Sequence, residues 1–209
     1  MESVAATPVD PAAAERLLTS LRESEALLEG HFLLSSGRHA GRYVQCAKML
    51  QWPERAAAAC RDLARQARAG GAAWDLVVGP AMGGITLAYE LGRALGVRAV
   101  FAERDPAGGF LLRRGFAVAP GERVLVAEDV VTTGRSAFEV VEMLEAAGAG
   151  AVGVACLVDR SAGGHPFGGR PFHRLAELEI PSWEPAECPL CREDAAGPPL
   201  KPGSRPTVG

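Results

Sequence analysis

The stretch Arg123-Val124-Leu125-Val126-Ala127-Glu128-Asp129-Val130-Val131-Thr132-Thr133-Gly134-Arg135-Ser136 decides how the chain is read. Residues 124–127 are apolar or small and run straight into two adjacent carboxylates, Glu128 and Asp129. Two valines follow, then hydroxyls and a glycine, and from residue 136 the apolar spacing becomes helical. The segment therefore reads as a buried strand, a loop and a helix. Helix N-termini present unpaired N–H groups and the positive end of the macrodipole, so the loop at 132–136 suits a phosphate. The acids just upstream suit a different task, gripping hydroxyls or a hydrated metal. Two adjacent carboxylates at a strand end are costly unless something cationic or hydrogen-donating meets them. Together they point to a phosphorylated sugar held at both ends. A plain strand-to-helix loop is the simpler alternative, because Thr and Ser beside Gly are ordinary turn residues. The stretch is neither a Walker sequence nor a Gly-x-Gly-x-x-Gly dinucleotide loop.

The same alternation extends outward. A first helix is expected from the Asp10-Pro11 cap to Gly30, with Leu17, Leu18, Leu21 and Leu28 as its stripe. Residues 31–36 and 43–50 read as short strands around a turn at 36–39. Residues 53–69 read as a helix stopped by Gly70-Gly71, 75–79 as a strand, 84–95 as a helix and 97–102 as a strand. A hairpin is expected over 110–118, after the turn residues Pro106, Gly108 and Gly109. The central unit is strand 123–128, helix 136–147 stopped by Gly148, and strand 151–158. Apolar runs alternating with amphipathic helices argue for an α/β fold, a mostly parallel twisted sheet flanked by helices. Residues 10–192 are expected to form a single domain, with a flexible N-terminus at 1–9. From about Pro181 the chain is rich in Pro, Gly and charge, and 193–209 is expected to be a loose tail. There is no internal repeat.

The 209 residues are ample for one full core, and a hydrophobic fraction of 48% describes an ordinary globule. A net charge of -3 gives no electrostatic case for nucleic acid. No apolar run reaches the length of a membrane helix, and residues 1–10 lack the apolar core of a secretory signal. Five cysteines without disulfide spacing favour a reducing cytoplasm.

Three further segments carry chemistry. Gly79-Pro80-Ala81-Met82-Gly83-Gly84-Ile85 ends a strand before a helix, and its glycines let backbone approach a ligand closely; a tight turn explains them equally simply. Arg160 follows the strand after the central helix, where a guanidinium can pair with a carboxylate in a bidentate fork or merely cap a loop. Cys188-Pro189-Leu190-Cys191 offers two metal ligands, whereas a structural zinc site wants four. Cys46, Cys60 and Cys156 look like small core residues, and His39, His165 and His173 read as surface groups as readily as ligands. No metal bound directly by protein side chains is expected.

Glu128 to Ser136 resembles the phosphoribosyl-pyrophosphate motif of the type I phosphoribosyltransferases. The resemblance implies that fold, with a small hood built from the two chain ends. It implies that Glu128 and Asp129 meet the ribose hydroxyls and form the catalytic pair. It also implies that Thr132, Thr133, Gly134, Arg135 and Ser136 wrap the 5′-phosphate, with Val130 and Val131 in the same donor-binding motif. Ala81, Met82 and Gly83 correspond to the family's pyrophosphate loop. The segment 31–39, followed by Tyr43, is similar to the part of orotate phosphoribosyltransferases that closes over the base. In those enzymes an arginine placed like Arg160 binds the orotate carboxylate, with Thr132 beside it. The resemblance runs from about residue 30 to about residue 191 and is nearest to longer orotate enzymes ending in Glu-Cys-Pro-Leu-Cys. It implies Mg²⁺ held through substrate and water, orotate and 5-phospho-α-D-ribose 1-diphosphate as substrates, and a homodimer. A purine base, or a non-catalytic sensor of the same fold, are the alternatives. Two departures stand out: Ser35 replaces a lysine of shorter members, and 103–114 carries Arg104, Arg113 and Arg114 where those members have lysines and a histidine. Pyrophosphate departure needs such positive charge, so these arginines are its candidates.

Overall fold

Val124, Leu125, Val126 and Ala127 are completely buried, as a strand with helices on both of its faces requires. The computed structural model describes residues 7–34, 36–192 and 197–202. In chain order its elements are α1 (Pro11–Glu23), β1 (Leu27–Leu33), β2 (His39–Val44), α2 (Ala47–Leu50), α3 (Pro53–Ala69), β3 (Leu76–Pro80), α4 (Gly84–Leu95) and β4 (Arg98–Arg104). Then come β5 (Phe110–Leu112), β6 (Arg123–Val131), α5 (Arg135–Ala146), β7 (Ala151–Asp159), β8 (Phe172–Glu177) and β9 (Ser182–Trp183). The main sheet has six strands in the order β5-β4-β3-β6-β7-β8. All neighbours pair in parallel except β5, which returns antiparallel to β4 with Ala102 opposite Leu112.

Side chains along a strand alternate between faces, and β6 shows what each face meets. Leu125 and Ala127 pack into a core with Leu17 and Leu21 of α1, Leu63 of α3 and Leu87 and Leu91 of α4. Val124 and Val126 pack into a second core with Val140, Val141 and Leu144 of α5. Two apolar layers thus clamp β6 as the inner strand whose carboxyl end bears the acids.

The helices at 53–69 and 84–95 have the expected bounds, and α5 and β7 come within a residue of theirs. Four expectations need correction. The first helix stops at Glu23, not Gly30, because Glu25 turns to φ 52° and Leu28 belongs to β1. Residues 43–50 are not one strand: β2 ends at Val44, and Met49 and Leu50 are buried by the helical turn α2. The hairpin forms, yet its second strand is only Phe110–Leu112. β8 has no counterpart in the sequence reading, and it covers the edge of β7 from Val154 to Asp159.

β1, β2 and β9 make a separate three-stranded antiparallel sheet, the hood. Residues 197–202 do not hang loose: Leu33 N donates to Leu200 O and Leu200 N to His31 O, at 2.8 Å each. At the other end of the chain, Thr7 N donates to Phe172 O at 3.1 Å. Residues 1–6, 193–196 and 203–209, parts of the expected flexible ends, and Ser35 lie outside the described residues.

β3 and α4 meet so closely that two glycines are obligatory. A Cβ on Gly79 would lie 2.2 Å from Gly84 O, and one on Gly84 would lie 2.7 Å from Ala127 O. Gly79→Ala is therefore expected to destabilise the fold by about 1–3 kcal/mol, the usual cost of overpacking. A urea titration checks it through a lowered midpoint at unchanged slope; an unchanged midpoint would show that α4 can shift freely.

Candidate active site

Glu128 and Asp129 occupy the carboxyl end of β6, the edge at which open α/β sheets bind ligands. Both are half-buried. Burial pushes the Glu128 carboxyl up to about 8, with the neighbouring Asp129 charge adding to the effect and Arg104 opposing it. Asp129 is raised too, mainly by burial, although Val130 N donates to its Oδ1 at 2.9 Å. Ionising the pair is therefore costly in the free protein, and a cation or a pair of donor hydroxyls would lower that cost.

Beyond them the chain turns through exposed Thr132 and Thr133 into buried Gly134. Gly134 is left-handed at φ 72°, and a Cβ there would meet Pro166 Cδ at 2.6 Å, so only glycine makes this turn without strain. Gly134 is also the N-cap of α5, and no side chain caps that helix. Its first N–H groups consequently face a cavity of about 160 Å³, lined by Glu128, Val130, Val131 and the whole Thr132–Ala137 turn. Thr133 Oγ1 accepts only a long bond from Arg135 N, at 3.4 Å. An uncapped helix start, free hydroxyls and a small cavity make an anion site.

The glycine loop after β3 faces the same acids. A Cβ on Gly83 would come 3.5 Å from Asp129 Oδ1, so the bare backbone of the loop borders the carboxylate. The Ala81–Met82 peptide bond is cis, and the Met82 side chain is 83% exposed. Of the arginines expected at pyrophosphate, Arg104 leans on the start of α5. It donates to Glu139 Oε2 at 2.7 Å and to Ser136 Oγ at 3.1 Å, with its guanidinium 4.3 Å from the Phe110 ring centroid. Arg114 pairs with Glu103 at 2.9 Å and lies over Phe101. Arg113 is exposed and makes no ion pair among the described residues. Arg135, which also lines the cavity, donates to Glu139 Oε1 at 2.8 Å.

Arg160 reaches the site from β7. Its backbone N donates to Val131 O at 2.8 Å, which fixes it one residue from Thr132. Burial lowers its pKa, against the influence of Tyr43 from β2. Its Nε is buried without a partner, and it forms no ion pair among the described residues. A half-buried, unpaired guanidinium is costly and calls for an anion. It borders a cavity of about 250 Å³ together with Asp159, Ala162, Gly163 and His165.

Side chains dispersed in the sequence also converge where none were expected to. His39 and His173 are buried, not surface groups, and His39 lies against His31, Cys188 and Cys191. The sequence reading expects no metal bound directly by protein side chains, whereas this cluster gathers four groups that could hold one. The Cys-x-x-Cys spacing was the available signal; the histidines from the hood could not be paired with it by spacing. Cys46, Cys60 and Cys156 are buried core residues, as their contexts implied. Cys46 also packs near the acids, its Sγ 3.9 Å from Asp129 O.

Comparison with known proteins fits this geometry. The phosphoribosyl transferase domain family matches residues 47–166, the span that contains both loops, the acid pair and Arg160. The orotate phosphoribosyltransferase of Heliobacterium modesticaldum is 55% identical over 191 residues, covering 91% of this chain and 98% of its own. That of Caldicellulosiruptor bescii is 51% identical over 184 residues, covering 88% and 94%. Among solved structures, orotate phosphoribosyltransferase from Mycobacterium tuberculosis in complex with inorganic phosphate superposes with a TM-score of 0.64. It is 28% identical and covers 81% of this chain and 97% of its own. The Aeropyrum pernix enzyme gives a TM-score of 0.62 at 28% identity, covering 78% and 93%. Identity at this level across nearly the full length of both chains settles the relationship: the chain belongs to the phosphoribosyl transferase family, among its orotate phosphoribosyltransferases.

Proposed function

We infer that the protein transfers the 5-phosphoribosyl group from 5-phospho-α-D-ribose 1-diphosphate to orotate, giving orotidine 5′-monophosphate and diphosphate for pyrimidine nucleotide synthesis. The observation that carries this reading is the placement of the acid pair between two backbone sites, the uncapped start of α5 and the Gly83 loop. A sugar with phosphate on both ends has that order of groups. The cavity at 132–137 takes the 5′-phosphate, and Glu128 and Asp129 accept the ribose hydroxyls. Ala81, Met82 and Gly83 take the diphosphate end. Arg160 takes the orotate carboxylate beside Thr132, which is what its unpaired Nε supports.

In the reaction a ring nitrogen of orotate bonds to the anomeric carbon as the C–O bond to diphosphate breaks, the electron pair leaving with diphosphate. Positive charge develops on the ribose ring, and two carboxylates beside it stabilise that charge more than they stabilise the neutral ground state. Orotate is already an anion, so positioning and charge neutralisation do most of the work. Mg²⁺ suits the site through substrate oxygens and water, since it prefers phosphate oxygens with only one or two carboxylates. When bound it would neutralise the departing diphosphate and reverse the upward shift of the acids. We also propose a homodimer in which the 103–114 hairpin, whose Arg113 is exposed and makes no ion pair among the described residues, serves the partner's site. Five free cysteines suit a reducing cytoplasm.

The direct test is orotate consumption with Mg²⁺ and the diphosphate substrate; turnover of adenine or hypoxanthine instead would overturn the assignment. Arg160→Ala is expected to raise KM for orotate about tenfold to a hundredfold, the value of one charged hydrogen bond, with little change in KM for the ribosyl donor. Equal rises in both would remove Arg160 from base recognition.

Asp129→Asn should cut kcat by more than about tenfold while circular dichroism stays native, because charge stabilisation is lost without a change of shape. Near-native turnover would refute the role given to the acid pair.

Glu128 makes the free protein's stability pH-dependent. Its folded-state pKa of about 8 lies above the ordinary value of 4.5. Its contribution is therefore complete below that ordinary value and is lost as pH rises through about 8. Donor substrate with Mg²⁺ favours the carboxylate, so the rise in Tm on adding them should grow between about pH 7 and about pH 9. Glu128→Gln should flatten that growth; a ligand-induced shift that is flat in the native protein would contradict the protonated free state.

A further inference from the structure

His31, His39, Cys188 and Cys191 each offer one ligand atom, and these atoms all lie within 4.8 Å of one another. His31 Nε2 is 2.9 Å from His39 Nδ1, 3.6 Å from Cys188 Sγ and 3.7 Å from Cys191 Sγ, and Cys191 Sγ is 3.2 Å from His39 Nδ1. Zinc bonds of about 2.0–2.1 Å to nitrogen and about 2.3 Å to sulfur give tetrahedron edges of about 3.3 Å between nitrogens and about 3.6 Å between nitrogen and sulfur. The nitrogen–sulfur distances, 3.2 to 3.7 Å, straddle that length, and the nitrogen pair at 2.9 Å is shorter than its edge. Three of the four residues are buried, where polar atoms require partners.

The surroundings prepare the set for a cation. His31 Nδ1 lies 2.9 Å from Gly197 O, a contact in which the ring must donate. That fixes the tautomer and leaves the Nε2 lone pair aimed at the other three atoms, the arrangement of a metal-bound histidine oriented by a backbone carbonyl. The two histidines come from paired antiparallel strands. The register between β1 and β2 shifts between Glu29 and Phe32, so His31 sits in a bulge, a device that re-aims a side chain. The cysteines come from the other end of the chain, 157 residues beyond His31 for Cys188. In the metal-free protein the donors available to these four atoms are a His39 Nδ1–H, in one tautomer, and weak S–H groups.

We propose that these four residues bind one Zn²⁺ as a structural centre that fastens the C-terminal segment to the N-terminal hairpin. Two thiolates and two imidazoles at tetrahedral spacing select zinc, and a closed set of four protein ligands marks a structural ion. The hood needs such a fastening. β9 contributes only the pairs His39–Trp183 and Ala40–Ser182, too few hydrogen bonds to hold a small sheet unaided. β2 also carries Tyr43, whose electrostatic influence reaches Arg160, so fastening β2 bears on the surroundings of Arg160.

The test uses the full-length protein purified under reducing conditions, without chelator, from zinc-supplemented medium. Elemental analysis is expected to give about one zinc per chain in the native protein and below about one tenth in Cys191→Ser. Stripping zinc from the native protein should lower Tm, and ZnCl₂, not MgCl₂, should restore it. Cobalt(II) added to the stripped native protein should give the thiolate charge-transfer band and the visible bands of a tetrahedral S₂N₂ site. That reading stays available even if the variant fails to fold. No stoichiometric uptake of zinc or cobalt by the reduced native protein, or an unchanged cobalt spectrum in folded Cys191→Ser, would overturn the proposal. None of these readings involves orotate, so they stand or fall separately from the proposed activity.

Discussion

Two carboxylates adjoining on an inner strand set the terms for everything placed around them. Placing Glu128 and Asp129 at the end of β6 raises both acids, and protein charge compensates little, since the one cation opposing the Glu128 shift is Arg104. A fold can tolerate such a pair where the missing compensation arrives with a ligand. Three features keep that place open. Gly134 ends the strand in a turn that no side chain could make, α5 starts without a cap, and Gly83 brings only a backbone to the carboxylate. The rigidity comes from elsewhere, from apolar layers packed on both faces of β6. The site is unstable in charge and stable in shape, and electrostatic catalysis depends on that division.

What could be read along the chain follows from the range of the interactions responsible. β6, α4 and α5 were legible because apolar spacing, a glycine stop and a strand-end acid pair act within a few residues. Glu128, Asp129 and the 132–136 loop were legible for the same reason. The helix expected to reach Gly30 failed at a local exception, the left-handed Glu25, which no apolar period reveals. β8 failed differently: its burial is set by β7 and by α1 and α3 packing over it, so its own pattern carries little signal. The arginines of 103–114 share that difficulty, because a guanidinium on a long flexible stem pairs with whatever the fold brings near it. Glu139 and Ser136 decide where Arg104 rests, and neither is near it in sequence.

The two sheets are held by different physics. The main sheet buries both faces against helices and needs no other support. The hood has three short strands, a bulge, and contributions from both chain ends, so conformational entropy weighs heavily against it. Leu200 adds one bridge to β1, and the close group of His31, His39, Cys188 and Cys191 adds a second tie. Neither tie could be inferred from spacing alone. A Cys-x-x-Cys pair defines half a site, and its complement lies in a hairpin whose bulge is itself a tertiary feature.

This division has a consequence for recognition. The subsites proposed for phosphate and ribose sit on the main sheet, where strand ends and helix starts are fixed by the core. Arg160 belongs to that sheet as well, docked through its backbone on Val131. The electrostatic influence of Tyr43 on Arg160, however, comes from the hood. The side of the site nearest the base is thus shaped jointly by a rigid element and by one tied down from the chain ends. Whatever loosens the hood should change the surroundings of Arg160 before it disturbs the acid pair, because the side chains packed on β6 come mainly from helices, and the hood adds only Val44 of β2 and Leu27 of β1 to one of the two cores. On the proposed assignment, grip on the phosphoribosyl group and choice of base are separable, the first resting on core packing and the second also on the closure of the two chain ends.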